Sequence, residues 1–209
     1  MAPEESPDPE ELLAEARKRQ SECLGTLLEL YRNYLLLLAR TQIDLHLRGR
    51  VDASDLVQET FLDACRDFSR FRGSSERELL AWLRQILVCN VARAVQTQLV
   101  AKKRDARRDV SLDCLRDLEQ SAARFEAVLI SPQSTPSNQA LRRERVALIA
   151  DHLARLPADH REVIVLRNLE GLPFAEVAKR MGRSSGAVRV LWVRALDQFR
   201  RLLDEEELR

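Results

Sequence analysis

The stretch at residues 173–199, PFAEVAKRMGRSSGAVRVLWVRALDQF, decides how the rest of the chain is read. Ala178, Gly182 and Val188 stand four and six residues apart, the spacing of a helix-turn-helix. A small residue lets two helices approach, a Gly takes the φ > 0 conformation that ends the first, and an apolar residue on the second returns to their shared core. Phe174, Val177 and Met181 are expected on the inner face of the first helix, and Leu191, Trp192, Ala195, Leu196 and Phe199 on that of the second. Outward from the second helix stand Ser184, Ser185, Arg189 and Arg194, the polar and cationic types that bond phosphates and base edges in a major groove. The competing reading of this window alone is an ordinary helical hairpin with a solvated basic face.

The context of that window is a chain of 209 residues, 45% hydrophobic and 32% charged, with 6 Gly and 7 Pro, which predicts a mostly helical globular protein. The formal net charge of +1 argues against a free-standing nucleic-acid binder, but the charge is uneven. Residues 3–15 carry Glu4, Glu5, Asp8, Glu10, Glu11 and Glu15 without a base, whereas Lys102, Lys103, Arg104, Arg107 and Arg108 crowd together. A protein that binds DNA only within a larger complex needs little net charge of its own. Cys23, Cys65, Cys89 and Cys114 form no CxxC pair, and three of them fall at apolar periodic positions, which fits a reducing cytoplasm. The acidic, Pro-rich start is not a signal peptide, and no apolar run is long enough to insert in a membrane.

Working back to the start, residues 1–8 read as disordered, and Asp8-Pro9-Glu10-Glu11 reads as a helix start with Asp as N-cap and Pro at N1. Leu24, Leu27, Leu28, Tyr31, Leu35 and Leu38 predict one long helix from Glu22 to about Leu47. Asp52 caps the next helix, with Leu56, Val57, Thr60, Phe61, Ala64 and Phe68 inside and Asp55, Gln58, Glu59 and Asp63 outside. A basic and aromatic loop follows at residues 69–74, and Ser75 with Glu78 forms a capping box for a third long helix. The polar run at residues 131–138 cannot pack a core and is read as part of a linker. The expected fold is therefore all-α: two small helical domains joined by a flexible linker, the C-terminal one containing the helix-turn-helix. The expected divisions are an N-terminal extension at 1–20, a first domain at 21–100, a linker at 101–140 and a second domain at 141–209.

Two segments carry a family resemblance. Residues 52–61, DASDLVQETF, followed by Phe71-Arg72-Gly73 and Ala81-Trp82-Leu83, resemble the second conserved region of bacterial RNA polymerase sigma factors of the sigma-70 class. Residues 156–203, opening LPADHREVIVLRNLEGLPFAEVAKRMG, resemble the fourth, and the order and separation are those of the minimal extracytoplasmic-function (ECF) group.

The resemblance implies that Asp55, Gln58, Glu59 and Asp63 face the polymerase, with its β′ and β subunits as partners, and that promoter DNA is a second partner. It implies that Arg70, Phe71, Arg72, Asn90 and Arg93 read and melt the −10 element, and that Arg183, Ser184, Ser185, Arg189 and Arg194 meet the −35 element. Arg167, Lys179, Gln96 and Gln98 are weaker candidates, while Trp82 is expected in the core. It also implies an anti-sigma protein as partner, a free monomer in the cytoplasm, and a linker that threads through the polymerase. One departure stands at Leu191, where similar proteins commonly place a base; the Leu191-Trp192 face is then expected to serve a partner.

No nucleotide-binding Gly-rich loop, metal set or nucleophile-base pair is present, and His46, His152 and His160 have no ligand-like spacing, so neither an enzyme nor a cofactor or metal is expected. Two other readings remain open at this point. One is a one-component helix-turn-helix regulator that binds DNA alone as a dimer; the other is a helical adaptor or anti-sigma-like interaction protein.

Overall fold

A computed structural model describes residues 8–18, 21–43, 51–99, 107–128 and 146–207. The polar run at 131–138, the bases Lys102, Lys103 and Arg104, and the stretch from which the first long helix was to end near Leu47 lie outside them.

The chain begins with α1 (Pro9–Arg17). Asp8 caps it, its carboxylate accepting from the Glu10 N–H at 2.9 Å, with Pro9 at the first helical position as the sequence predicts. Its placement is now clear: Leu13 and Ala16 are buried, and the helix lies on α2 (Ser21–Leu30) and α5 (Glu76–Leu99). The single long helix expected from Glu22 is two, because the chain turns at Tyr31 (φ −98°, ψ 3°) before α3 (Arg32–Gln42). The Tyr31 ring at that turn is fully buried, and its hydroxyl donates to Glu76 Oε1 at 2.9 Å. Burial, and then the Glu76 carboxylate, push that phenol's pKa far up, so it stays a donor.

Next come α4 (Ala53–Asp67), a 3₁₀ turn (Phe68–Arg70) and α5. Both helix starts are capped as read from sequence. Asp52 accepts from the Ser54 N–H at 2.8 Å and hydroxyl at 3.0 Å. Glu78 accepts from the N–H groups of Ser74 at 2.7 Å and Ser75 at 3.2 Å, while Ser75 Oγ accepts from the Glu78 N–H at 3.4 Å. The Ser54 N–H first, and then its hydroxyl, hold Asp52 below the ordinary carboxylate range; the Ser74 N–H first, and then the Ser75 hydroxyl, do the same for Glu78. A depressed folded pKa contributes stability that is present above the unfolded pKa, about 4, and is lost as pH falls through the folded value. The double variant Asp52→Asn, Glu78→Gln should therefore lose less stability than wild type on acidification below about pH 4. Urea midpoints measured across that range check it.

α6 (Arg107–Val128) occupies the middle of the segment read as linker. Rather than crossing solvent, it buries Cys114, Leu118, Ala122 and Phe125, one residue every three or four, against α3 and α5. The remaining elements are α7 (Val146–Arg155), α8 (Ala158–Ile164) running on into a π turn (Val165–Leu169), α9 (Phe174–Arg180) and α10 (Ser185–Glu207). No strand occurs among the described residues.

The two halves touch. α3 packs on α7, where Asn33 Nδ2 donates to Asp151 Oδ1 at 2.8 Å. Phe125 of α6 lies 5.7 Å from the Tyr34 ring, and Arg124 Nη1 donates to the Glu170 carbonyl at 2.8 Å and the Leu169 carbonyl at 3.4 Å, satisfying the end of the π turn. α6 thus binds both sides of the molecule.

Candidate functional site

Three surfaces hold the residues singled out in the sequence. The first is the outer face of α4. Asp55, Gln58 and Glu59 are exposed, while Asp63 is half-buried in ion pairs with Arg66 and, at 3.8 Å, Arg93. Leu62 is 67% exposed and falls on the same face, seven residues from Asp55 and three from Glu59. The sequence reading missed it, although its position at helical spacing among acids was the available signal. An apolar centre inside a polar ring is the anatomy of a protein–protein contact.

The second surface is the turn between α4 and α5. Phe71 stacks on Trp82 at 4.9 Å and on Phe68 at 6.0 Å, and the Arg17 guanidinium sits 5.9 Å from the Phe71 ring while donating to the Gly73 carbonyl. A Cβ at Gly73 would collide with the Phe71 ring and with Glu78 Cβ, so only Gly lets the chain pass so close to that ring. Phe71 and Trp82 are half-buried on the core; Arg70, 3.3 Å from Asp67, and Arg72 are exposed.

Asn90 is a correction. The sequence reading put it on base edges, yet it is completely buried, its Nδ2 donating to Thr60 Oγ1 at 3.3 Å and its Oδ1 accepting from Arg93 at 3.0 Å. The cause is that α5 is covered by α4 on one side and α6 on another, so positions that a two-sided helix would leave wet are dry. Asn90→Ala should lower stability by about 1–3 kcal/mol, the cost of stranding buried polar partners, and alter DNA preference only through the Arg93 guanidinium it releases. Thermal unfolding beside a DNA-binding assay separates the two. Arg93, by contrast, keeps 65% of its side chain exposed.

The third surface is the helix-turn-helix formed by α9 and α10. The Arg183 N–H donates to the Ala178 carbonyl at 2.9 Å and the Gly182 N–H to the Lys179 carbonyl at 3.3 Å, with Gly182 at φ +62°. That is a Schellman closure, which needs a left-handed residue where the sequence has its Gly. Ser184 then caps α10, its hydroxyl oxygen accepting from the Ala187 N–H at 3.2 Å and keeping its proton for another acceptor. Arg189 and Arg194 are exposed, Arg189 leaning over Phe174 at 5.5 Å; Ser185 is half-buried, and Arg183 pairs with Asp159.

The weaker candidates divide. Arg167 is a structural residue, donating to the Leu172 carbonyl at 3.0 Å and lying 4.8 Å from the Phe174 ring; Lys179 is exposed beside Glu176. Gln96 is half-buried, and the side chain of Gln98 lies outside the described residues. Leu191 and Trp192 are not an open face: both pack against the core, Trp192 Nε1 donating to Asn168 Oδ1 at 2.8 Å. The open apolar residues of α10 are instead Val190 and Val193.

The cysteines also differ from expectation. Cys114 is buried and Cys23 half-buried, but Cys65 and Cys89 are exposed. Among the described residues no group of three His, Cys, Asp or Glu could hold a metal ion, and no helix is long and apolar enough to cross a membrane.

Against known proteins, residues 27–99 match the family description Sigma-70 region 2, and residues 152–201 match Sigma-70, region 4. The chain is 30% identical over 189 residues to the ECF RNA polymerase sigma factor SigD of Mycobacterium tuberculosis, covering 90% of this chain and 81% of that one. It belongs to the sigma-70 family, in the ECF group. The ECF RNA polymerase sigma-E factor of Haemophilus influenzae is 31% identical over 152 residues, 72% of this chain and 74% of that protein. A solved RsbN-BldN complex contains a chain 26% identical, with TM-score 0.30 and coverage of 91% and 98%. As an ECF sigma factor, the chain is a transcription initiation factor and not an enzyme. α4 and the turn after it lie in the region 2 match, and the helix-turn-helix lies in the region 4 match.

Proposed function

We propose that this ECF sigma factor docks on the β′ and β subunits of core RNA polymerase and directs initiation by reading two promoter elements, one with each half. The outer face of α4 grips the polymerase through Asp55, Gln58 and Glu59 around Leu62, with Asp63 ordering Arg93 at the edge. Arg70, Arg72 and Arg93, arrayed beside the Phe71–Trp82 stack, meet the −10 element. The N-terminal half of α10 enters the major groove of the −35 element with Ser184, Ser185, Arg189 and Arg194, while Arg183 stays near phosphate. The observation that carries this reading is the Schellman-closed turn at Gly182, which leaves that end of α10 standing clear of the core with its cations outward.

Regulation follows from the join between the halves. A cleft of about 610 Å³ opens there, lined by Arg40, Val51 and Asp52 on one side and Arg161, Glu162 and Val165 on the other. It offers both charges and an apolar floor to an anti-sigma protein, and its place between the halves suits a partner that holds both at once. The site of action is the cytoplasm, where the polymerase works.

In vitro transcription with core polymerase over a pool of genomic promoters tests the proposal. The expected result is initiation at a subset of promoters sharing an upstream and a downstream element, with no specific DNA binding by the free protein. Initiation no better than core enzyme alone, or dimeric binding to a palindrome without polymerase, would overturn it.

A further inference from the structure

We infer that Val190 and Val193 are specificity residues of α10 that read thymine C5-methyl groups in the upstream element. The inference rests on the reading of α10 as a groove-binding helix. Three large hydrophobic residues are exposed among the described ones, and two of them, at 52% and 59%, stand three positions apart on the outer face of this helix. Neither packing nor propensity accounts for them. They touch no core, and a β-branched side chain at an exposed helical position loses χ1 freedom that Leu, Lys or Glu would keep.

The flanks identify the occupant. Arg189 and Arg194, the immediate neighbours of this pair in sequence, are exposed and lie on its two shoulders, and Arg200 and Arg201 continue the positive face. Among the described side chains, the acid beside the strip, Asp197, is paired with Arg201 at 2.8 Å. An apolar strip between two cationic rails is complementary to a major groove, whose floor carries thymine methyls and whose edges are phosphates. A helix about 10–12 Å across fits a groove about 12 Å wide. At the leading end Gly186 and Ala187 are exposed and small, so nothing bulky holds the helix off the bases.

The test removes the thymine methyl from one side and the two γ-methyls of one valine from the other. Holoenzyme is assayed for binding to a promoter it recognises, with deoxyuridine replacing each thymine of the upstream element in turn. Wild type should weaken roughly fourfold at one or two positions, the worth of one methylene-sized contact. Val190→Ala or Val193→Ala should weaken binding to the thymine promoter by a similar factor, and then show no further loss at the matching deoxyuridine position. Both side chains are exposed, so circular dichroism should be unchanged.

The inference is overturned if no uridine position matters, if the two losses multiply at every position, or if the selected upstream element has no A·T pair. It is also overturned if either variant lowers affinity for core polymerase without DNA, which would make the strip a protein contact. All of these leave promoter-directed initiation standing; loss of initiation itself would instead remove the parent proposal.

Discussion

Replacing Asp55 and Glu59 together by lysine should abolish holoenzyme formation while the protein still folds. Both carboxylates are exposed and outside any ion pair the fold depends on, so nothing in the core registers the change. The cost to the helix is small: a cation in place of Asp55 in the first turn of α4 opposes the helix dipole by about 0.3–1 kcal/mol. At a docked interface the same reversal turns attraction into like-charge contact beside the desolvated Leu62, a loss of at least about 3 kcal/mol, or roughly a hundredfold in affinity. Asp63 is the wrong residue for this test, because removing it frees Arg66 and Arg93 and perturbs the neighbouring surface as well. Gel filtration or fluorescence anisotropy with core polymerase gives the affinity, and a thermal melt checks the fold. Binding within a few-fold of wild type would move the docking face away from α4.

Phe125→Ala should be the most destabilising of the changes considered, by about 3–5 kcal/mol. The ring is 2% exposed, shares the buried face of α6 with Leu118 and Ala122, and meets Tyr34 at 5.7 Å. Against a total stability of about 5–15 kcal/mol, such a loss is a large fraction, and a fall in Tm of about 10 °C is expected for a chain of this size. Glu119→Ala, on the exposed side of the same helix, is the control and should stay within about 0.5 kcal/mol. If α6 behaved as free linker, both variants would melt like wild type.

How far the sequence could be read depended on the range of the forces involved. Caps and turns are local, so Asp8, Asp52, the Ser75–Glu78 pair and Gly182 were found where the structure has them. The inner and outer faces of α9 and α10 follow from periodicity, Leu191 and Trp192 included; only the expectation that this pair serves a partner fails, because the indole packs on Phe174 and donates to Asn168. What periodicity cannot supply is the number of neighbours a helix has. Asn90 and the linker reading of residues 107–128 fail for one reason: the spacing of Cys114, Leu118, Ala122 and Phe125 is that of a helix face, but nothing local says that the helix folds back over α5 and α3. The break at Tyr31 belongs with them, since the group its hydroxyl meets there is Glu76, 45 residues away. Leu62, Val190 and Val193 are the reverse case, apolar residues whose exposure emerges only once every core position is filled.

The join made by Asn33, Asp151, Arg124 and the Leu169 and Glu170 carbonyls has a cost at the promoter. A compact chain of 209 residues is expected to have a radius of gyration near 17 Å, about 45 Å from side to side. Two elements named for positions ten and thirty-five lie about 25 base pairs apart, or about 85 Å along the duplex. One shut molecule cannot hold both. Holding both at once requires the halves to part, and the apparent dissociation constant for the promoter is expected to exceed the intrinsic one by the reciprocal of the separated fraction. Loosening the Asn33–Asp151 and Arg124 contacts should then tighten promoter binding without altering any residue that meets the polymerase or the DNA.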